Sequence, residues 1–91
     1  MYYVATLIIV DSEKNRTSRP QHLAYISDLY ERGHVLMGGP FEDGSGGMVI
    51  YQNVDQETAE RLAHHDPAVT SGARTVSLRP WRRLDLPIRQ A

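Results

Sequence analysis

The run from Tyr2 to Val10 is apolar on both of its faces. Read as a strand, it puts Tyr3, Ala5, Leu7 and Ile9 on one side and Tyr2, Val4, Ile8 and Val10 on the other. A strand of that kind asks for cover on both sides. The chain has 91 residues, which is the length of one domain. Helices can cover one face, and a partner's sheet is the economical cover for the second. The competing explanation is only that central strands are apolar. A domain this short buries a modest fraction of its surface, so a second subunit also adds stability.

The remaining elements fall in a simple order. Asp11 to Ser18 is polar, charged and free of glycine, and reads as a loop. Without glycines it is neither a P-loop nor a dinucleotide fingerprint, since both need close backbone approach to phosphate. Ser18 suits a cap and Pro20 the first helical position, where its missing N–H has no partner anyway. Leu23, Ile26, Leu29 and Tyr30 then gather on one stripe, and Gly33 ends the helix. His34 to Met37 reads as a short strand running into Gly38, Gly39, Pro40 and Phe41. That segment permits unusual backbone angles and close approach, either as a bulge or turn or to face a ligand. The Glu42–Gly47 segment is a turn, and Met48 to Gln52 completes a hairpin. Asp55 caps a second helix, and Asp66-Pro67 stops it. Ala73 to Trp81 is the last strand, with Val76 and Leu78 facing in and Pro80 marking an end or an edge. The order β-α-β-β-α-β is the ferredoxin-like arrangement, an α+β fold with a four-stranded antiparallel sheet. Residues 1–81 form the domain, and residues 82–91 a polar tail with alternating Leu84, Leu86 and Ile88.

One residue breaks the first helix's pattern. His22 lies inside the apolar stripe, between Leu29 and Ile26. Arg19 shares its face if the first turn is regular. A buried histidine bonded to a backbone carbonyl is one reading. The other rests on Asp66. Both helices cover the same sheet face in this topology, so the start of the first and the end of the second can meet at one end of the sheet. A carboxylate on one imidazole nitrogen fixes the tautomer and raises the basicity of the other. His22 is then a candidate general base or acid. The alternative for Asp66 is an N-cap for the turn after it. His65 flanks the site, but no spacing here supports a metal.

Charge and composition remove other classes. The formal net charge of −1 draws neither nucleic acid nor an anionic membrane. The absence of cysteine excludes disulfides, thiolate catalysis and cysteine-based zinc sites, and is compatible with a cytoplasmic location. No run reaches the length of a membrane span, and the N-terminus lacks the basic region of a signal peptide.

Taken together, Arg19-Pro20-Gln21-His22-Leu23, Gly33 through Pro40, Gly47 to Ile50, His65-Asp66-Pro67 and Val76 to Pro80 resemble the YCII-related (YciI-like) domain of the dimeric α+β barrel superfamily. The resemblance spans nearly the whole chain. It implies a homodimer joined through its sheets and a His–Asp pair at His22 and Asp66. It also implies a pocket beside Gly39 and Pro40. Phe41 and His65 are further candidates to line it, and Arg19 is either a solvated first-turn charge or the residue that holds an anionic substrate group. One relative dehydrochlorinates a hydroxylated aromatic, and muconolactone isomerases share the superfamily. The implied activity is therefore lyase- or isomerase-type proton transfer on a small cyclic substrate without a cofactor. The alternative is a non-catalytic protein that binds a small ligand. Many relatives carry an aromatic after the Asp-Pro where this chain has Ala68, which implies a more open pocket.

Overall fold

The computed structural model describes residues 1–88. Four strands form one antiparallel sheet, β1 (Tyr2–Ile9), β2 (Val35–Pro40), β3 (Gly46–Tyr51) and β4 (Arg74–Trp81), in the order β2-β3-β1-β4. Helices α1 (Ser12–Glu31), α2 (Gln56–His64) and the short α3 (Pro67–Thr70) complete the ferredoxin-like α+β fold. β1 is central and pairs with both β3 and β4, and Pro80 lies on the edge strand β4, where a missing donor is harmless.

The two faces of β1 have different fates. Tyr3, Ala5 and Leu7 join Val49, Tyr51 and Val35 in the core beneath the helices. The opposite face carries Val4, Ile8, Met48, Ile50 and Trp81. Of these, Ile8 is 40% and Trp81 52% exposed. A groove of about 370 Å³ runs across this face, between Val4, Met48, Ile50 and Trp81.

The loop expected over Asp11–Ser18 is instead the first part of α1. The side chain of Asp11 accepts a hydrogen bond from the Lys14 N–H at 3.0 Å, so the cap lies well upstream of Ser18. Residues 12–19 contain no glycine or proline to interrupt the helix. Pro20 therefore sits inside the helix rather than at its start. The stripe also turns slightly from the expected one. Ser18, His22 and Leu29 are buried, Tyr25 and Ile26 half-buried, and Tyr30 is exposed on the flank toward β2. Gly33, at φ +85, ends the helix as expected.

Strand β2 absorbs Gly38, Gly39 and Pro40, and its irregularity falls earlier, between Val35 and Met37. Glycine is required where β3 begins. A Cβ on Gly46 would stand 1.9 Å from the backbone oxygen of Leu7, and one on Gly47 would stand 2.7 Å from that of Gly39. Asp55 caps α2 as expected, its carboxylate accepting from the Thr58 N–H at 2.8 Å. In the tail, Leu84, Leu86 and Ile88 are exposed. Residues 89–91 of the expected tail lie outside the described residues.

Candidate active site

The first helix presents His22 to the sheet, and the end of α2 delivers Asp66 to it. His22 is 8% exposed and Asp66 is 0% exposed. The Nδ1 of His22 stands 2.8 Å from Oδ1 and 2.9 Å from Oδ2 of Asp66. An ionised carboxylate only accepts, so the proton of this bond lies on Nδ1. That leaves Nε2 as the ring nitrogen available to a bound molecule.

Asp66 has a second task. Helix α2 stops at His64 with His65 as its cap, and Asp66 adopts an extended conformation outside the helix. Its Oδ1 also accepts from the Ala68 N–H at 2.9 Å, capping α3. Asp66 bonds the His22 ring and caps α3 at once, because α3 packs against α1. The cap fixes the carboxylate, and the carboxylate fixes the imidazole. Tyr25, one helical turn on from His22, donates to the backbone oxygen of Leu62 at 2.7 Å and ties α1 to α2.

The Asp66 charge reaches two tyrosines. Burial, then Asp66, then Tyr25 push the Tyr51 hydroxyl well above its ordinary pKa of 10.0. Burial and then Asp66 raise that of Tyr25. A pKa higher in the folded chain than in the unfolded one means that the folded state holds the proton more tightly. This contribution is intact below about pH 10 and is lost as pH rises through the folded value. Denaturation midpoints measured in urea are therefore expected to fall above about pH 10, and to fall less steeply in Tyr51→Phe. Identical alkaline limbs in the two proteins would contradict this placement of Tyr51.

His22 opens on a hollow of about 100 Å³ between α1 and strands β2 and β3. Arg19 and Leu23 stand on its helical side, and Gly38, Gly39 and Pro40 on its strand side. Of the candidate residues, Arg19, His22, Gly39 and Pro40 thus come together around one space, with Asp66 bonded behind the ring. Phe41 and His65 do not line the hollow. Phe41 is half-buried past the end of β2, and His65 is exposed at the end of α2. Ala68 lies in the core at 1% exposure and not on the cavity wall, so the expected widening of the pocket at that position is absent. One charged lining residue is not among the sequence candidates. Arg74 is 7% exposed and reaches the hollow from β4. It shares a sheet face with Val76 and Leu78, and a charged residue at that parity is the signal that marks it.

Fold and site together define a small antiparallel α+β domain with a buried histidine–carboxylate pair at the back of a hollow. The family model of the YCII-related domain matches residues 1–82, and the chain belongs to that family. It is 27% identical over 81 residues to the uncharacterized protein YjpA of Bacillus subtilis, covering 88% of this chain and 95% of that one. It is 31% identical over 83 residues to protein YciI of Escherichia coli O6:H1, covering 79% of this chain and 85% of that one. In structure it is similar to TftG, the 5-chloro-2-hydroxyhydroquinone dehydrochlorinase of Burkholderia phenoliruptrix, solved with 2,5-dihydroxybenzoquinone. The TM-score is 0.75 at 17% identity, over 90% of this chain and 94% of that one, a likeness of fold. Among the described residues, no helix is long and apolar enough to cross a membrane.

Proposed function

We propose that this protein is a cofactor-independent enzyme of lyase or isomerase type, moving a proton on a small cyclic or aromatic substrate. The observation that carries the reading is the His22–Asp66 bond at the edge of a hollow. His22 Nε2 accepts a proton from the substrate and returns one, while Asp66 holds the ring and its tautomer and stabilises the imidazolium that forms. Gly39 and Pro40 supply a wall without bulky side chains. Arg19 meets the substrate's charged end. TftG, a dehydrochlorinase of the same fold, supports the same class of chemistry.

A homodimer belongs to the same proposal. The apolar outer face of the sheet, with Met48, Ile50 and Trp81, packs against its copy and closes a dimeric α+β barrel. Sedimentation at twice the chain mass is the matching observation. A cytoplasmic location fits a chain without cysteine.

Deuterium exchange in D2O tests the chemistry. Small cyclic ketones, lactones and hydroxylated chloroaromatics are incubated with the protein and read by NMR. At least one member of the set is expected to exchange or react, and His22→Gln to abolish this. Exchange that persists in His22→Gln contradicts the role of the histidine. Binding to the hollow without turnover would favour the ligand-binding alternative.

A further inference from the structure

The hollow beside His22 contains a feature that proton transfer alone does not require. Arg74 is buried on the inner face of the sheet, yet among the described residues no carboxylate stands within ion-pair distance of its guanidinium. Its Nε donates to Asn15 Oδ1 at 2.7 Å, a neutral partner on the early turns of α1. Asp66 is the acid it feels, but that carboxylate already accepts from His22 and Ala68. The stronger charge acting on it is a second cation, Arg19. Burial and Arg19 both push the Arg74 pKa down, and only Asp66 opposes them. A buried charge without a counter-charge is costly to keep. Two guanidiniums around one small space are more so, unless an anion completes the set.

We infer that Arg74 and Arg19 form an oxyanion subsite for a small carboxylate, with Arg74 as the residue that determines specificity. This rests on the reading of the hollow as a substrate site. The chemistry of the walls sets the class of molecule. A guanidinium presents a planar fork of donors that matches a carboxylate in a bidentate pair. Its Nε is held by Asn15, which fixes the plane of that fork. The facing wall of Gly38, Gly39 and Pro40 offers backbone and ring carbon instead of charge. The volume of about 100 Å³ admits a molecule of one ring or less. The ligand is thus a compact organic acid, anionic at one end and apolar at the other. With its carboxylate on the two arginines, its next carbons lie toward His22.

Titration of the full-length protein with acetate and benzoate tests this, with acetamide and benzamide as neutral isosteres, followed by NMR and calorimetry. Saturable binding of at least one carboxylate is expected, with its amide at least about tenfold weaker. Arg74→Gln and Arg19→Gln are each expected to weaken the carboxylate by about tenfold or more, and Arg74→Lys, which keeps charge but loses the fork, by an intermediate factor. Arg19 is exposed, so Arg19→Gln remains informative if Arg74→Gln fails to fold. The inference is overturned if neither carboxylate saturates, if the amides bind equally well, or if Arg19→Gln and Arg74→Lys both bind like the unaltered protein. Carboxylate binding retained in His22→Gln separates the two proposals, since the subsite then stands whether or not the histidine moves a proton.

Discussion

Asp66→Ala is expected to lower the unfolding free energy by about 3 kcal/mol, a large share of the ~5–15 kcal/mol typical of a domain. The substitution removes one acceptor group and strands two donors. The His22 Nδ1–H and the Ala68 N–H both lose their partner in a place that water does not reach. Each stranded donor costs about 1–3 kcal/mol, and relief of a buried carboxylate offsets part of the sum. Asp66→Asn should behave differently. Its side-chain oxygen still accepts from Ala68, so the cap survives and stability changes little. Its amide nitrogen takes the place of Oδ2, 2.9 Å from Nδ1, and favours a ring that accepts there. Turnover should fall by about 10⁴ with the geometry intact, the scale of loss when a catalytic histidine is held in the wrong tautomer. Urea denaturation of both variants, with the exchange assay on the second, checks the pair. Equal stability for Asp66→Ala and the unaltered chain would remove Asp66 from its structural role. Full activity in Asp66→Asn would remove it from the chemistry.

Gly46→Ala is expected to cost about 3 kcal/mol or more and to deplete the folded protein. The new methyl would stand 1.9 Å from the oxygen and 2.9 Å from the carbon of the Leu7 carbonyl. Both obstacles are backbone, so no rotamer change relieves the contact. Strands β1 and β3 must part at the Ile8–Gly46 pair, next to the start of the cavity wall. Gly39→Ala is the control. A Cβ there meets nothing within 4 Å, and the change should lie within about 0.5 kcal/mol of zero. Thermal denaturation of the two variants separates them. Similar midpoints would mean that the β1–β3 approach is looser than described.

Most of the fold was legible because its elements carry strong local signals. The two-faced apolar pattern of β1, the Asp55 cap and the turn between β2 and β3 each identify themselves within a few residues. His22 was visible as a polar ring in an apolar stripe, and Asp66 as an acid before proline. Their meeting was inferred from topology and family resemblance, since a contact between residues 44 apart has no local signature. The sequence points to a later start for α1 because Pro20 suits a first turn. The Asp11 cap and an uninterrupted polar run outweigh the hydrogen bond that a proline in the helix interior forfeits. In a loop Asn15 has no fixed place, so its bond to Arg74 has no signature in the sequence. His65 was placed at the site by its neighbour in sequence, but adjacent residues at a helix end point in different directions. The resemblance makes Ala68 a pocket residue, whereas the short α3 turns it into the core.

In the account given for the site, neutral His22 donates from Nδ1 to Asp66 and leaves Nε2 bare. Nitrogen-15 NMR of the imidazole in the unliganded protein, at a pH where the ring is neutral, measures this directly. A protonated Nδ1 with an unprotonated Nε2, reversed in Asp66→Asn, is the predicted result. A ring protonated at Nε2, or one averaging between tautomers as free histidine does and unaltered by Asp66→Asn, would contradict it.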